Sequence, residues 1–410
     1  MTILIAGPLW PERLAFPKSA NLGALGLSDR PLVYGHSLTR GEVPQNALVA
    51  YDLLHPAFEA DFAPANTDCD FPAEPILTKI IATEPEQAVV LVTPLSELRE
   101  QIKQGAPTGE YSPETTYART DRLAIFDHVN LFRIYETLFD FLEDRKIPVR
   151  VMLSSRGRLE ESDRVFVHAH LKGKTSRLPT REAVQEIVND PKCHYQAVLL
   201  PYGQTTQIRF DHLGGSRLLT FRKILPRNLV GRSILDVGCA LGDLLFMSER
   251  LGARRLVGIE KHDGRFSAAI SIRDILGSEA DIHHCDFLDY ELNEEFDHVF
   301  VLNVIHHVFD FHRFLKKAAR AAKSSMIIEF PTLTDNRFRG VYGFSVDQMK
   351  PLNELPLIAL SGRAAIQSYV YSPVAIQNLV LNEIGGFMRH SVVSSPISDR
   401  VIMIFDRQCE

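Results

Sequence analysis

The sequence predicts an α/β protein made of a C-terminal doubly wound, mostly parallel sheet and a separate N-terminal α/β domain. From about residue 230 onward, short apolar runs (ILDVG, RLVGIE, DIHHCD, DHVFVLNV, SMIIEF) alternate with helical stretches at intervals of roughly 20 to 30 residues. That alternation is the pattern of parallel strands joined by crossover helices. Residues 1–190 repeat the alternation on their own, with TILIAG, ALVAYDLL, AVVLVT and VRVMLS as strands. A chain of 410 residues also exceeds the size at which one core stops growing, which favours two domains.

In the N-terminal domain, Leu131, Ile134, Tyr135, Leu138, Phe141 and Leu142 recur at helical spacing until Pro148 ends the run. This domain holds neither a P-loop nor a GxGxxG, and its expected role is to shape a pocket or to join copies into a homo-oligomer. Residues 191–230 read as a connecting segment and 231–410 as the second domain. The second domain closes on a helix opened by Ser372-Pro373, followed by MRHSVV and RVIMIF, two strands near enough to pair antiparallel. Residues 332–371 form an insertion after SMIIEF, at the carboxyl rim of the sheet, where it should lie over the substrate side. Its Arg337, Arg339, Lys350 and Arg363, with Tyr342, Tyr369 and Tyr371, suggest an anionic substrate.

Apolar residues at 45% and charged ones at 23% are ordinary for a soluble globular protein. No apolar stretch reaches the roughly 20 residues a bilayer requires. The opening MTILIAGPLWPERL lacks the pattern of a signal peptide, so a cytoplasmic location is expected. The cysteines (Cys69, Cys193, Cys239, Cys285, Cys409) are scattered without CxxC spacing, reading as free thiols with no metal site. A net charge of −6 gives no global pull toward polyanions, which disfavours nucleic acid as a partner.

The stretch ILDVGCALGD carries the chemistry. Ser233 to Val237 reads as a buried strand, and Gly238 to Gly242 turn the chain into a helix near Asp243. Glycines at such a turn permit positive φ and bring bare backbone to a ligand, beside the free N–H groups of a helix start. RLVGIE then places Glu260 at the next strand end, where a carboxylate can accept both hydroxyls of a ribose. HHCDFLDY places Asp286 at a third strand end, suited to an adenine amino group, with Phe287 as an apolar wall. Three strand ends together describe a nucleoside site.

With these residues in place, the sequence resembles the class I S-adenosylmethionine-dependent methyltransferases over about residues 230–407, in the order ILDVGCALG, LVGIE, HCDF, FDHVFVLNVIHHV and SMIIEF. The resemblance implies a Rossmann-like seven-stranded sheet and S-adenosylmethionine as cofactor. It assigns the methionine and ribose part to Asp236, Gly238 and Gly242, ribose to Glu260, and adenine to Asp286 with Phe287. The family's turn has a middle glycine where this chain has Ala240, a departure that opens the reading of a non-catalytic cofactor-binding protein. The lead-in YQAVLLPYGQTTQ…GGSRLLTFRKILPRNLVGRSILDVGC also resembles the branch that includes the bacterial wobble-uridine tRNA carboxymethyltransferase. It carries over no RNA-binding residue.

NVIHHVFD follows the fourth strand, where the family places cofactor-side and substrate-side residues. Asn303 is expected beside the methionine end, and His306 or His307 as a general base. His283 and His284 read as strand residues near the adenine end, and Asp211-His212 with Gly214-Gly215 as a closing loop or an ordinary turn. The expected activity is methyl transfer to a hydroxyl or amine of a small molecule, a sugar or a biosynthetic intermediate. An RNA-modifying methyl- or carboxymethyltransferase and a non-catalytic binder are the alternatives.

Overall fold

Apolar runs in the first part of the chain assemble a six-stranded sheet: β1 (Ile3–Gly7), β2 (Leu32–Tyr34), β3 (Leu48–Asp52), β4 (Gln87–Val92), β5 (Val149–Ser155) and β6 (Arg158–Ser162). The computed structural model of the protein describes residues 3–7, 32–34, 47–52, 85–98, 128–155, 158–173, 179–206, 220–221, 223–225, 229, 231–360 and 369–407. The sheet order is β2-β3-β1-β4-β5-β6, parallel except for β6, which pairs antiparallel with β5. Its central strands β1 and β4 are apolar but for Gln87, as in a sheet covered on both faces, and Leu4, Ile5, Ala88, Val90 and Val92 are all fully buried. Helix α1 (His128–Asp144) lays Tyr135, Leu138 and Leu142 on that core. The Tyr135 hydroxyl donates to the Leu91 carbonyl at 2.8 Å.

The chain divides at Leu178/Pro179, so the second unit is Pro179–Glu410. The sequence placed the first domain's end at 190 and a connecting segment over 191–230; the structure instead folds residues 179–206 with the second unit. Helix α2 (Arg181–Asn189) is capped by the Thr180 hydroxyl, which accepts from the Ala183 N–H at 3.2 Å, and it buries Val184 and Val188. Beyond it, Arg265 lies 3.9 Å above the Tyr195 ring, and the buried Thr206 hydroxyl donates to the Gln196 carbonyl and accepts from the Val198 N–H. Short 3-10 turns at Pro191–Cys193 and Pro201–Gly203 carry this segment, and such turns leave no apolar period to read.

In the second unit, β7 (Ser233–Val237), α3 (Asp243–Arg250), β8 (Arg255–Glu260), α4 (Asp263–Leu276), β9 (Asp281–His284), β10 (Phe296–Leu302), α5 (Phe311–Ala321) and β11 (Ala322–Pro331) alternate as the sequence predicts. The insertion is folded rather than loose. It contains α6 (Asn336–Tyr342), α7 (Val346–Met349) and a hairpin of β12 (Ile358–Leu360) with β13 (Tyr369–Tyr371), around a small core of Leu333, Phe338, Met349 and Val370. Tyr371 is fully buried and so is a core residue and not a surface group, while Tyr369 is partly buried; both are edge-on to Phe311. Arg339 donates to the Thr334 carbonyl at 3.1 Å, Lys350 and Tyr342 are exposed, and Arg363 and the Arg337 side chain lie outside the described residues.

Helix α8 (Pro373–Asn378) starts at the expected place, with the Ser372 hydroxyl accepting from the Ala375 N–H at 3.0 Å. Then come β14 (Arg389–Ser394) and β15 (Arg400–Asp406). The seven-stranded sheet runs β14-β15-β11-β10-β7-β8-β9, with β7 to β11 parallel, and β15 antiparallel both to β11 and to β14. Strand order reverses between β7 and β10, so the crevice outside their carboxyl ends is where an open sheet of this type binds ligands. Among the described residues no helix is long and apolar enough to cross a membrane.

Candidate functional site

The glycine turn leaves β7 at the reversal point. Gly238 has φ +78°, and a side chain there would begin 2.5 Å from Val304 Cγ2; Gly242 has φ +82°, and its Cβ would begin 2.7 Å from the Phe246 ring. The sequence read these glycines as bare backbone for a ligand. In the structure the backbone conformation and the protein's own packing already demand them. The Gly238 and Cys239 N–H groups both donate to the Ile259 carbonyl, at 2.7 and 3.1 Å. Ala240 adopts φ +52°, a conformation that costs an L-residue roughly 1 to 2 kcal/mol, and its N–H donates to Glu260 Oε2 at 3.0 Å. The turn therefore keeps its left-handed residue with an alanine in place of the family's middle glycine.

Glu260, at the end of β8, is only 3% exposed. Its Oε1 accepts from the His262 N–H at 2.8 Å, so one carboxylate braces the glycine turn and the loop after its own strand. Each oxygen has two acceptor positions and spends one, which leaves one per oxygen for the two hydroxyls of a ribose. By this measure the residues fit the nucleoside of S-adenosylmethionine. Asp236 is buried in β7, in register with Phe300 of β10 and Gly258 of β8. Asp286 is part-exposed; its Oδ1 accepts from the Leu288 N–H at 2.9 Å, while Oδ2 faces Lys261 Nζ at 3.7 Å. Phe287 is not an accessible wall beside it. Its ring is 3% exposed, edge-on to Phe314 at 5.0 Å and under the Lys317 ammonium at 5.1 Å, because neighbouring residues in a turn point to different sides and this one points into the core. His283 and His284 are strand residues of β9, and His284 stacks on Phe266 at 4.9 Å.

Past β10, Asn303 has φ +62° and donates its backbone N–H to the Glu329 carbonyl at 2.8 Å. Its side-chain amide donates to Glu329 Oε2 and accepts from Arg400 Nη1. A 3-10 turn, Ile305–His307, follows, pinned by the Tyr371 hydroxyl donating to the Ile305 carbonyl at 3.1 Å. The two histidines part company here: His306 is 1% exposed and His307 is exposed, with their rings 4.0 Å apart. Asp211, His212, Gly214 and Gly215 lie outside the described residues. The sequence motifs singled out neither Asp243, Glu329, Ser395 nor Arg400, although all four lie at this end of the sheet or on helix α3 that starts there. Asp243, the first residue of α3, is 4% exposed, and burial raises its carboxyl pKa to about 7. Burial likewise pushes the Cys239 thiol well above its usual range, which leaves it unreactive.

Residues 234–325 match the family model described as a methyltransferase domain. The chain is 31% identical over 149 residues to the ubiquinone biosynthesis O-methyltransferase of Bradyrhizobium diazoefficiens, a match covering 36% of this chain and 57% of that protein. It is 26% identical over 172 residues to the enzyme of the same name from Nitrobacter winogradskyi, covering 42% of this chain and 64% of the relative. It thus spans less than two thirds of the length of either. Among solved structures, the N-terminal domain of EvdMO1 with S-adenosylhomocysteine bound aligns at 16% identity and a TM-score of 0.41, over 57% of this chain and all of that one. The magnesium protoporphyrin IX methyltransferase of Synechocystis aligns at 17% identity and 0.38, over 55% of this chain and 94% of that one. Residues 234–325 of the C-terminal unit thus form a methyltransferase domain, set in the seven-stranded sheet.

Proposed function

We propose that the protein methylates an oxygen, or less favourably a nitrogen, of a small molecule, with S-adenosylmethionine as donor. The observation that carries this reading is the contact of Gly238 with Val304: it packs the glycine turn against the turn bearing Asn303, His306 and His307, at the reversal point of the sheet. Nucleoside-holding and acceptor-side groups therefore meet at one rim. Oxygen is preferred because the two curated relatives are named O-methyltransferases.

When bound, the donor supplies an electrophilic methyl group on a positively charged sulfur. Glu260 would hold the ribose through the acceptor positions the turn leaves free, Asp286 would accept from the adenine amino group, and Asp236 would serve the methionine end. Displacement at carbon depends on alignment, so rigid backing of both turns is itself a catalytic contribution. A hydroxyl acceptor must also lose its proton as the new bond forms. A base must touch its substrate, and only His307 of the adjacent pair has surface with which to do so.

The reading is tested by calorimetric titration with S-adenosylhomocysteine, followed by transfer of an isotopically labelled methyl group to a panel of phenols, sugars and amines, with total tRNA as a separate acceptor. The wild type should bind, and Glu260→Ala should bind at least about tenfold more weakly, since it loses two charge-assisted bonds of roughly 1.5 to 3 kcal/mol each. Absence of binding by the wild type would sink the proposal; label entering only tRNA would move the substrate to RNA.

A further inference from the structure

A buried polar cluster joins the carboxyl ends of β10 and β11 to the hairpin between β14 and β15. Glu329 is 1% exposed within the buried apolar run Met326–Pro331 of β11. A carboxylate in such a place is costly unless its oxygens are satisfied, and both are. Oε1 accepts the Ser395 hydroxyl at 2.5 Å, and Oε2 accepts from the Asn303 amide. The backbone repeats the clamp, because the Asn303 N–H donates to the carbonyl of the same Glu329 at 2.8 Å. At its other end the Asn303 amide accepts from Arg400. A carboxylate has no proton to give and a guanidinium has no lone pair to offer, so the amide has a single allowed orientation. The residue held in this way has φ +62°, and its neighbour Val304 fills the space where a side chain on Gly238 would stand.

We infer that Glu329 is a positioning residue for the transfer: by gripping Asn303 through both main chain and side chain, it holds the 303–307 turn against the glycine turn and so sets the spacing between donor and acceptor groups. This rests on the methyltransferase reading. A plain structural staple would make a different prediction, namely loss of stability with ligand affinity falling only in proportion.

The test exchanges donor and acceptor across the pair. Asn303→Asp sets two carboxylates face to face and should weaken binding of S-adenosylhomocysteine by about tenfold or more. Adding Glu329→Gln to that variant should restore affinity to within about threefold of wild type. The new amide then donates to the new carboxylate, its oxygen still accepts from Ser395, and Arg400 keeps an acceptor. Glu329→Gln alone, with volume preserved, should lie between three- and tenfold below wild type, and it decides the matter if Asn303→Asp does not fold. Thermal unfolding is measured alongside. The inference is overturned if Asn303→Asp or Glu329→Gln alone binds like wild type, if the double variant binds no better than Asn303→Asp, or if affinity merely tracks the unfolding temperature across the set. A wild type that fails to bind at all overturns the methyltransferase reading instead, which separates the two failures.

Discussion

Replacing Asp243 by asparagine should remove a pH dependence from the stability of the C-terminal unit. The carboxyl has an ordinary pKa of 3.8 and one of about 7 in the folded chain, raised by burial and drawn partly back by Arg250. Between about pH 4 and 7 the folded state therefore holds a proton that the unfolded state has released, so stability falls as pH rises through that window and is level outside it. The span of the two values corresponds to roughly 4 kcal/mol at most. Asparagine mimics the protonated form, so the variant should equal the wild type near pH 4 and exceed it by a few kcal/mol at pH 8. The single tryptophan, Trp10, lies outside Pro179–Glu410, so tryptophan fluorescence is not the readout for this unit. Hydrogen exchange of peptides covering Ser233–Arg250, in wild type and variant across pH 5 to 8 and corrected for intrinsic rates, reads the relevant region instead. Parallel profiles for the two proteins would refute the assignment of a buried, near-neutral carboxyl to this position.

Three further outcomes are expected. Ala240→Gly relieves the φ of +52° and should raise stability by about 0.5 to 1 kcal/mol while leaving S-adenosylhomocysteine affinity intact; a drop in unfolding temperature would show that the methyl group packs usefully. His306→Ala empties a site that is 1% exposed and should cost roughly 2 to 3 kcal/mol, whereas His307→Ala should barely move the unfolding temperature but should cut turnover on a hydroxyl acceptor about 10²- to 10⁴-fold, and the reverse pattern in thermal scans would exchange their roles. A fragment spanning 179–410 should be soluble and bind S-adenosylhomocysteine, while one spanning 231–410 loses the Tyr195 platform under Arg265 and the helix Arg181–Asn189, and should aggregate; equal behaviour of the two would restore the boundary near 230.

The strands of the second unit were legible because burial on both faces writes each one as an apolar run, and because every crossover helix sets the next run at a regular interval. The lead-in was not, since 3-10 turns and a single capped helix leave no period that distinguishes a packed segment from a linker. The turn chemistry was half legible. Gly238 and Gly242 announce positive φ, but the partners that forbid a side chain are Phe246, four residues on from Gly242, and Val304, which belongs to another strand's end. Phe287 misled for a local reason: adjacency to Asp286 in sequence says nothing about which side of the turn a ring takes, and Phe314 and Lys317 decide it.

The polar cluster was the least legible part, yet one physical signal for it stands in the sequence. SMIIEF closes an apolar run with an acid followed by an aromatic residue, and an acid inside a buried run must find donors or be lost to its desolvation cost. That requirement establishes that Glu329 has partners; it does not name them. Ser395 lies 66 residues away, and Asn303 and Arg400 are 97 residues apart, so only the antiparallel return of β15 along β11 could bring them to the same rim. The same logic distinguishes the other buried acids. Glu260 meets backbone N–H groups in its own and the preceding loop, and glycines nearby advertise it; Asp243 has its carboxyl pKa raised to about 7 by burial. An acid within an apolar run is thus a reliable sign of a constrained site, and the distance in sequence to its donors decides whether the site can be drawn before the fold is known.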